Sequence, residues 1–266
     1  MKKKGILLTV VILLSAAGLA QAQEGELHGV VDLTYQSKYI WRGFDVYGDK
    51  SAFQPSLDLD LYGTGFGINL MAHRANSSEY ENGERWDYTI YYGNTVCEGE
   101  TYATNYRLGW VYYNYPDSSS HTSASTDLQE MQFVLSWPEI CPAGVVPSYV
   151  LVKLWPSNSE SLNGEASGWA HIFMLDYGFN LGTVIPDMPE QVLNCHMEVV
   201  YNDGVDPRGI GVDHDWSNIV FGLSTDFDLG YNLTLTPGLF HQVTMDDSVN
   251  DDKDETWISL SMKYKF

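Results

Sequence analysis

The chain has 266 residues, of which 35 are acidic and 14 are basic, so its net charge is −21. Such an acidic chain is a poor partner for nucleic acid, because phosphate binding needs clustered Lys and Arg. Aromatic residues make up 14% of the chain, which includes 18 Tyr and 8 Trp, and this composition favours β-strands.

The N-terminus has the pattern of a secretory signal peptide. Lys2–Lys4 precede an apolar stretch over Ile6–Leu19 that ends in small residues. We predict that residues 1–22 are cleaved and that residues 23–266 form an outer-membrane β-barrel domain. Removing the signal leaves 11 basic against 35 acidic residues, a net charge of −24. The later sequence lacks an apolar run of roughly 20 residues, which argues against a helical membrane protein.

The mature sequence repeats segments of about ten residues in which apolar and polar residues alternate, as they do in half-buried strands. The first sets Leu27, Val31, Leu33 and Tyr35 against His28, Asp32, Thr34 and Gln36. Twelve strands are predicted in chain order: 27–36, 56–62, 66–72, 86–92, 105–112, 130–137, 148–155, 173–179, 193–201, 219–227, 232–239 and 257–266. The fold class is therefore all-β.

The connections alternate between short and long, as they do in outer-membrane barrels with short periplasmic turns and longer external loops. Gly63–Gly65 and Asp228–Tyr231 are short, whereas the turns that contain Cys97, Cys141 and Pro186 are longer than the rule predicts and leave the strand number open. The longer, polar connections are 37–52, 75–84, 116–126, 156–167, 202–215 and 244–255. We predict a closed antiparallel transmembrane barrel of about 12 strands, with 10 to 14 possible. A β-sandwich is the alternative.

If the apolar face of each strand meets lipid, the opposite face lines the lumen. That face carries an excess of carboxylates, which predicts a preference for cations if the lumen conducts. The lumen-lining candidates are Asp32, Asp58, Asp60, Asp87, Arg107, Glu130, Asp176, Glu198 and Asp226. Alternatively, these charges pair and plug a narrow interior, since a barrel of this size can be either filled or open.

The three cysteines match no zinc or redox motif. Cys97 and Cys141 both fall in predicted turns at one end, so a disulfide between them is a hypothesis, while Cys195 lies on a strand. Acidic residues cluster over Asp246–Glu255 and over Asp206–Asp215. These loops could bind Ca²⁺ through carboxylate oxygens, but they lack the spacing of an EF-hand, and solvated loop charge is the alternative.

The segment Ser37–Phe44 follows the first strand and has the sequence SKYIWRGF, which Gly48, Asp49, Ala52 and Gln54 loosely continue. This segment resembles a signature of the TorF family of porins, although Phe44, Val46 and Tyr47 stand where small polar residues are commoner. The resemblance implies an outer-membrane barrel of a Gram-negative bacterium with a pore function and no catalytic residues. Trp41 and Arg42 are expected to anchor this external loop by pairing or stacking.

The C-terminal strand places Tyr264 and Phe266 on its apolar face, which resembles the terminal recognition strand of outer-membrane barrels. The expected partners are therefore outer-membrane lipid, the barrel assembly machinery, and small solutes or cations. We expect passive diffusion of small solutes, without a cofactor. A structural or adhesive barrel is the first alternative, and an outer-membrane hydrolase using His73, His214 or His241 is the second.

Overall fold

The computed structural model describes residues 26–118, 126–157, 166–183, 190–206 and 211–266. The predicted signal peptide lies outside these ranges. Apart from two short 3₁₀ turns, Glu81–Gly83 and Asn250–Asp252, the regular elements of the described residues are strands. None of the helices in the described part of the chain is long and apolar enough to cross a membrane.

The strands lie close to the segments predicted from alternation. The first eight are β1 His28–Gln36, β2 Ile40–Trp41, β3 Phe44–Asp45, β4 Ala52–Asp60, β5 Phe66–Ala75, β6 Arg85–Val96, β7 Thr104–Asn114 and β8 Leu128–Ser136. The others are β9 Val146–Pro156, β10 Gly168–Gly182, β11 Gln191–Asp203, β12 His214–Thr225, β13 Phe227–Gly230, β14 Leu233–Thr244 and β15 Glu255–Lys265.

Twelve of these strands form a closed antiparallel barrel, which confirms the predicted fold class. Around the barrel the order is β1, β4, β5, β6, β7, β8, β9, β10, β11, β12, β14 and β15, and β15 pairs with β1. The short strand β13 extends β12 and also pairs with β14. Closure pairs both edges of every long strand, so the sheet presents no free edge.

The register divides the side chains into an outward and an inward set. Large apolar side chains remain exposed on the outside of the barrel, among them Val31, Leu33, Leu70, Trp86, Ile90, Phe133, Phe173 and Leu260. Polar residues such as Asp32, Thr34 and Ser261 occupy the alternate positions and hydrogen-bond one another inside. An apolar exterior around a polar interior is the reverse of a soluble sandwich and is typical of transmembrane barrels.

Connections at one end of the barrel have two to nine residues and those at the other end have nine to 15, so the predicted alternation holds as a trend, and the turns around Cys97, Cys141 and Pro186 are the longer ones of the first set. One short turn differs from the prediction over Asp228–Tyr231, because strand pairing continues to Gly230 and the chain turns at Tyr231 and Asn232. Both turn residues have positive φ, 53° and 65°, the backbone of a two-residue type I′ hairpin.

Candidate functional site

The first long connection does not stay outside the barrel. Residues 37–51, called here the plug segment, fold inward and contact inward-facing residues of strands on several sides of the lumen. Within it, β2 and β3 form a small hairpin whose turn is Arg42–Gly43, with φ of 53° and 88°. This turn places the Arg42 side chain at the tip of the hairpin, inside the barrel.

Arg42 reaches a carboxylate nearly opposite the strand from which its loop starts. Its Nη2 donates to Glu130 Oε1 at 2.5 Å, and the side chains are 17% and 0% exposed. Gln132 also donates to this Glu130 oxygen, at 2.6 Å. On the other side of the lumen, Gln242 Nε2 donates to the carbonyl of Gly43 at 2.7 Å. The hairpin tip is therefore held between β8 and β14.

A layer of aromatic and charged side chains on the inner wall of the barrel packs against the hairpin. The Arg85 guanidinium lies 3.9 Å from the Trp41 ring centroid and 4.5 Å from that of Tyr113. Arg85 also donates to Asp87 Oδ1 at 2.6 Å and to the Tyr39 hydroxyl at 2.7 Å. Cation–π contacts are strongest where water is excluded, and Arg85 is almost completely buried.

The rest of the plug segment is held by buried contacts of its own. The Tyr47 hydroxyl donates to the carbonyl of His73 at 2.9 Å, and the Tyr47 side chain is fully buried. Phe44 packs with Val212 and Val249, which belong to two other long connections. The plug segment is therefore joined both to the barrel wall and to the neighbouring loops.

An ion-paired tether lies where the plug segment leaves β1. Lys38 Nζ contacts Asp49 within the plug segment and donates to Glu255 Oε2 of β15 at 2.6 Å. Hydrogen bonding to Asp49 and then to Glu255 raises the pKa of Lys38, and the Lys38 ammonium lowers the pKa of Asp49. Burial raises the pKa of the neighbouring Asp45 carboxyl.

The inner wall near the long connections is apolar on one side, whereas the sequence predicts a lumen face with an excess of carboxylates. A buried cluster joins β7 through β11 and includes Val152, Leu154, Ala170, Ile172 and Val200, with Trp41 of the plug segment packed against it. Alternation did not assign the faces of β9, because this strand carries apolar residues on both: Val150, Val152 and Leu154 face inward, and Leu151 and Trp155 face outward. The long-connection half of the interior is thus a packed core.

The short-turn half of the interior contains polar clefts. One, of about 410 Å³, is lined by residues that include Glu190, Asp226, Asp228 and Lys265. A second, of about 390 Å³, is lined by Val30, Asp32, Ser56, Asp58, Asp226, Thr234, Lys263 and Lys265. The plug segment therefore fills one end of the lumen while the other end keeps space between charged side chains.

All nine lumen-lining candidates lie on the inward set of positions, and they divide between the two halves. Asp87 and Glu130 are buried beneath the plug segment and are paired with Arg85 and Arg42. The candidates toward the short turns are Asp32, Asp58, Asp60, Arg107, Asp176 and Asp226, while Glu198 lies close enough to Arg42 of the plug segment to interact with its charge. Their role in a pore stays a prediction.

Several of the short-turn candidates are joined by hydrogen bonds. Asp58 accepts from the Tyr91 hydroxyl at 2.7 Å and from Asn69 at 3.0 Å. Arg107 stacks on the same Tyr91 ring, with its guanidinium 3.7 Å from the centroid. The Asp176 carboxylate lies 2.7 Å from His196 Nδ1. These contacts hold the charged groups against the wall and away from the barrel axis.

The three histidines considered for catalysis lie apart. His73 contacts Asp87 and Gln54 beneath the plug segment, His214 contacts Asp203 near the long connections, and His241 contacts Thr256 on the outer face. Among the described residues, their hydrogen bonds do not join a hydroxyl or thiol nucleophile to a histidine that a carboxylate orients.

Two further sequence predictions concern the cysteines and the C-terminal strand. Cys97, Cys141 and Cys195 are all free, so the expected disulfide between Cys97 and Cys141 is not formed. Tyr264 and Phe266 face outward with their ring centroids 6.3 Å apart. The Phe266 ring covers Gly29 of β1, where an added Cβ would lie 2.5 Å from it.

Comparisons with known proteins show the class of fold. Neither a family model nor a curated protein matches the chain, so the resemblance to the TorF family stays a prediction. The NanC porin aligns with 90% of this chain and 100% of its own length at 9% identity, with a TM-score of 0.52. The chain has the fold of an outer-membrane porin.

A second porin shows the same architecture. The KdgM porin, solved in complex with disordered oligogalacturonate, aligns with 89% of this chain and 99% of its own length at 7% identity, with a TM-score of 0.50. Identities this low establish the porin fold, and the site must be argued from this chain's own residues.

Proposed function

We propose that this protein is a bacterial outer-membrane barrel of porin type that lets small solutes diffuse passively, with a preference for cations. The porin fold supports this proposal, together with an exposed apolar exterior that is suited to lipid. The plug segment is the constriction of this channel and limits its conductance. The proposal includes neither a cofactor nor a catalytic residue.

The observation that carries the cation preference is the charge of the short-turn half of the lumen. Its inward carboxylates are Asp32, Asp58, Asp60, Asp176 and Asp226, and its inward basic residues are Arg107, Lys263 and Lys265. Within the described residues, the three basic side chains form no ion pair with these carboxylates. A surplus of carboxylates lowers the energy of a cation in the lumen and raises that of an anion.

The test is single-channel conductance of the refolded mature protein in planar bilayers, with a salt gradient that gives a reversal potential. We expect stepwise openings whose reversal potential has the sign of cation selectivity. Replacing Asp32, Asp58 and Asp226 together by Asn is expected to shift the reversal potential toward zero, because the lumen then loses three of its carboxylates.

The matched control removes the same charge outside the lumen. Asp251, Asp252 and Asp254 lie in the long connection between β14 and β15, and their replacement by Asn should leave the reversal potential close to that of the unaltered protein. An equal shift in both triple variants would mean that overall charge, and not the lumen, sets the selectivity. Anion-selective openings would contradict the proposed preference.

A second candidate function is a non-conducting structural or adhesive barrel. The observation that favours it is the packed long-connection half of the interior, where Arg42 pairs with Glu130 and Trp41 packs against an apolar cluster. Silence in bilayers from barrels that are shown to be folded would support this alternative. Binding of cells or matrix that depends on the long connections would then identify the adhesive role.

A further inference from the structure

Three carboxylates from two long connections meet at the end of the barrel that holds the plug segment. Asp213 belongs to the connection between β11 and β12, while Asp246 and Asp247 belong to the connection between β14 and β15. One oxygen from each lies within 4.8 Å of the other two. Two oxygens that bind Ca²⁺ at 2.3–2.6 Å from opposite sides lie roughly 5 Å apart, so this spacing suits one shared ion.

A second observation concerns an atom that lacks a partner. Asp246 is 7% exposed, and its Oδ1 accepts from the backbone N–H and the hydroxyl of Ser248, at 2.8 Å and 2.7 Å. Its Oδ2 is buried and has no hydrogen-bond partner among the described residues. A carboxylate oxygen kept from water without a donor is costly, and a bound cation would satisfy it.

The described surroundings of these carboxylates contain no basic side chain paired with them. In the described part of the chain, Asp213, Asp246 and Asp247 form no ion pair, and Lys253 of the same connection contacts Asp251 instead. A comparable cluster of Asp45, Asp49 and Glu255 differs, because Lys38 contacts two of its members. Among the residues that the structure describes, the first of these two clusters therefore has no ion-paired basic side chain, whereas the second has Lys38.

From these observations we propose that Asp213, Asp246 and Asp247 bind one Ca²⁺ ion and so join the two connections. The backbone N–H of Asp213 already donates to the Ser248 hydroxyl at 3.0 Å, so the two connections are in contact before an ion binds. Water completes the coordination, as it does in exposed Ca²⁺ sites. Val212 and Val249, next to these ligands, pack on Phe44, so the ion would also stabilise the seat of the plug segment.

The experiment is isothermal titration of Ca²⁺ into the full mature chain, refolded in detergent and freed of metal with a chelator. We expect one ion per chain with a dissociation constant on the order of 10⁻⁴ to 10⁻³ M, the range of extracellular Ca²⁺ sites. Each of Asp213→Asn, Asp246→Asn and Asp247→Asn should weaken binding about tenfold or more. At a Ca²⁺ concentration ten times the dissociation constant, the unfolding equilibrium constant should fall about 11-fold.

The matched control is Asp252→Asn, which removes one charge from the same connection outside the cluster and should leave the dissociation constant unchanged. Asp213 and Asp247 are exposed, so their variants test the site even if Asp246→Asn disturbs the local fold. Absence of binding up to about 10 mM Ca²⁺, well above the weak end of this affinity range, would overturn the proposal. Binding that survives unchanged in the Asp213 and Asp247 variants would overturn it equally.

Discussion

Replacing Glu130 by Met leaves the Arg42 guanidinium inside the barrel without its carboxylate. The two side chains are 0% and 17% exposed, so water can screen the remaining charge only weakly. Removing one partner of a buried ion pair typically costs about 3–5 kcal/mol, because the other charge stays desolvated. If the plug segment leaves the lumen, Arg42 is hydrated again and this cost is removed. The variant should therefore shift the equilibrium toward the released plug segment.

The expected acceleration of hydrogen exchange follows from the cost of removing one partner of this ion pair. A loss of about 3 kcal/mol raises the equilibrium constant for release by roughly two powers of ten. The backbone N–H of Val46 bonds to the carbonyl of Tyr39 at 2.9 Å, and that of Tyr47 bonds to Asp45 Oδ1 at 3.1 Å. These amides exchange with solvent when the plug segment opens. Their hydrogen exchange should therefore accelerate about 100-fold in Glu130→Met and similarly in Arg42→Met.

The double variant, with Met at positions 42 and 130, completes a double-mutant cycle. Two apolar side chains of similar volume bury without an unpaired charge, so exchange should return to within about tenfold of the original rate. Exchange at the original rate in both single variants would refute the reasoning, because the Arg42–Glu130 ion pair would then contribute nothing to the stability of the docked plug segment. A double variant that exchanges as fast as the singles would show that the ion pair itself is required.

Three other properties are expected. The lowered pKa of Asp49 means that the contribution of its carboxylate to plug stability is present above the unfolded value near 3.8 and is lost as the pH falls through the lower folded value. The raised pKa of Lys38 means that its contribution is present below 10.5 and is lost only as the pH rises from there through the higher folded value, so it is constant below that pH. Exchange of the plug amides, corrected for its intrinsic dependence on pH, should therefore show the acid limit, and Lys38→Met should abolish it. Gly67→Ala should lower the free energy of unfolding in denaturant by about 1–3 kcal/mol, because the added Cβ would lie 2.1 Å from the Tyr91 ring on which Arg107 stacks. The control is Gly109→Ala, whose added Cβ has its nearest contact 3.8 Å away and should cost less. Equal losses in the two variants would contradict this packing. In lipid vesicles, a charged, membrane-impermeant maleimide should label Cys97 and leave Cys195, which faces the lipid, unlabelled. Detection of a disulfide between Cys97 and Cys141 in unreduced protein would contradict the free thiols.

Much of the barrel could be predicted from the sequence because its strands obey a local rule. A residue such as Asp32 differs from Leu33 in the face it occupies, and this alternation is visible without knowing any partner strand. The number and the approximate bounds of the strands follow from that rule, and the lengths of the connections are then read from what lies between them. Where both faces of a strand are apolar, as in β9, alternation carries no information, and the packed inner wall was missed.

The plug segment could not be predicted in the same way, because its contacts join residues that are far apart in the chain. Arg42 and Glu130 are 88 positions apart, and Gly43 and Gln242 are 199 apart. The high content of large apolar and aromatic side chains in this segment is the one usable signal in the sequence. A loop that stays in water has little reason to contain Tyr39, Ile40, Trp41, Phe44 and Tyr47, and such a composition indicates burial. Arg85, which supports this segment, gave no comparable signal.

The hairpin at the tip of the plug segment also constrains the order of assembly. Its receptor is built from β8 on one side and β14 on the other, and these strands face each other only when the ring has closed. The closing pair β1–β15 joins residues still farther apart in the chain, such as Val30 and Lys265, so sequence separation alone does not order the two events. Because the hairpin tip is held from both sides, we expect it to dock fully only once both walls are in place.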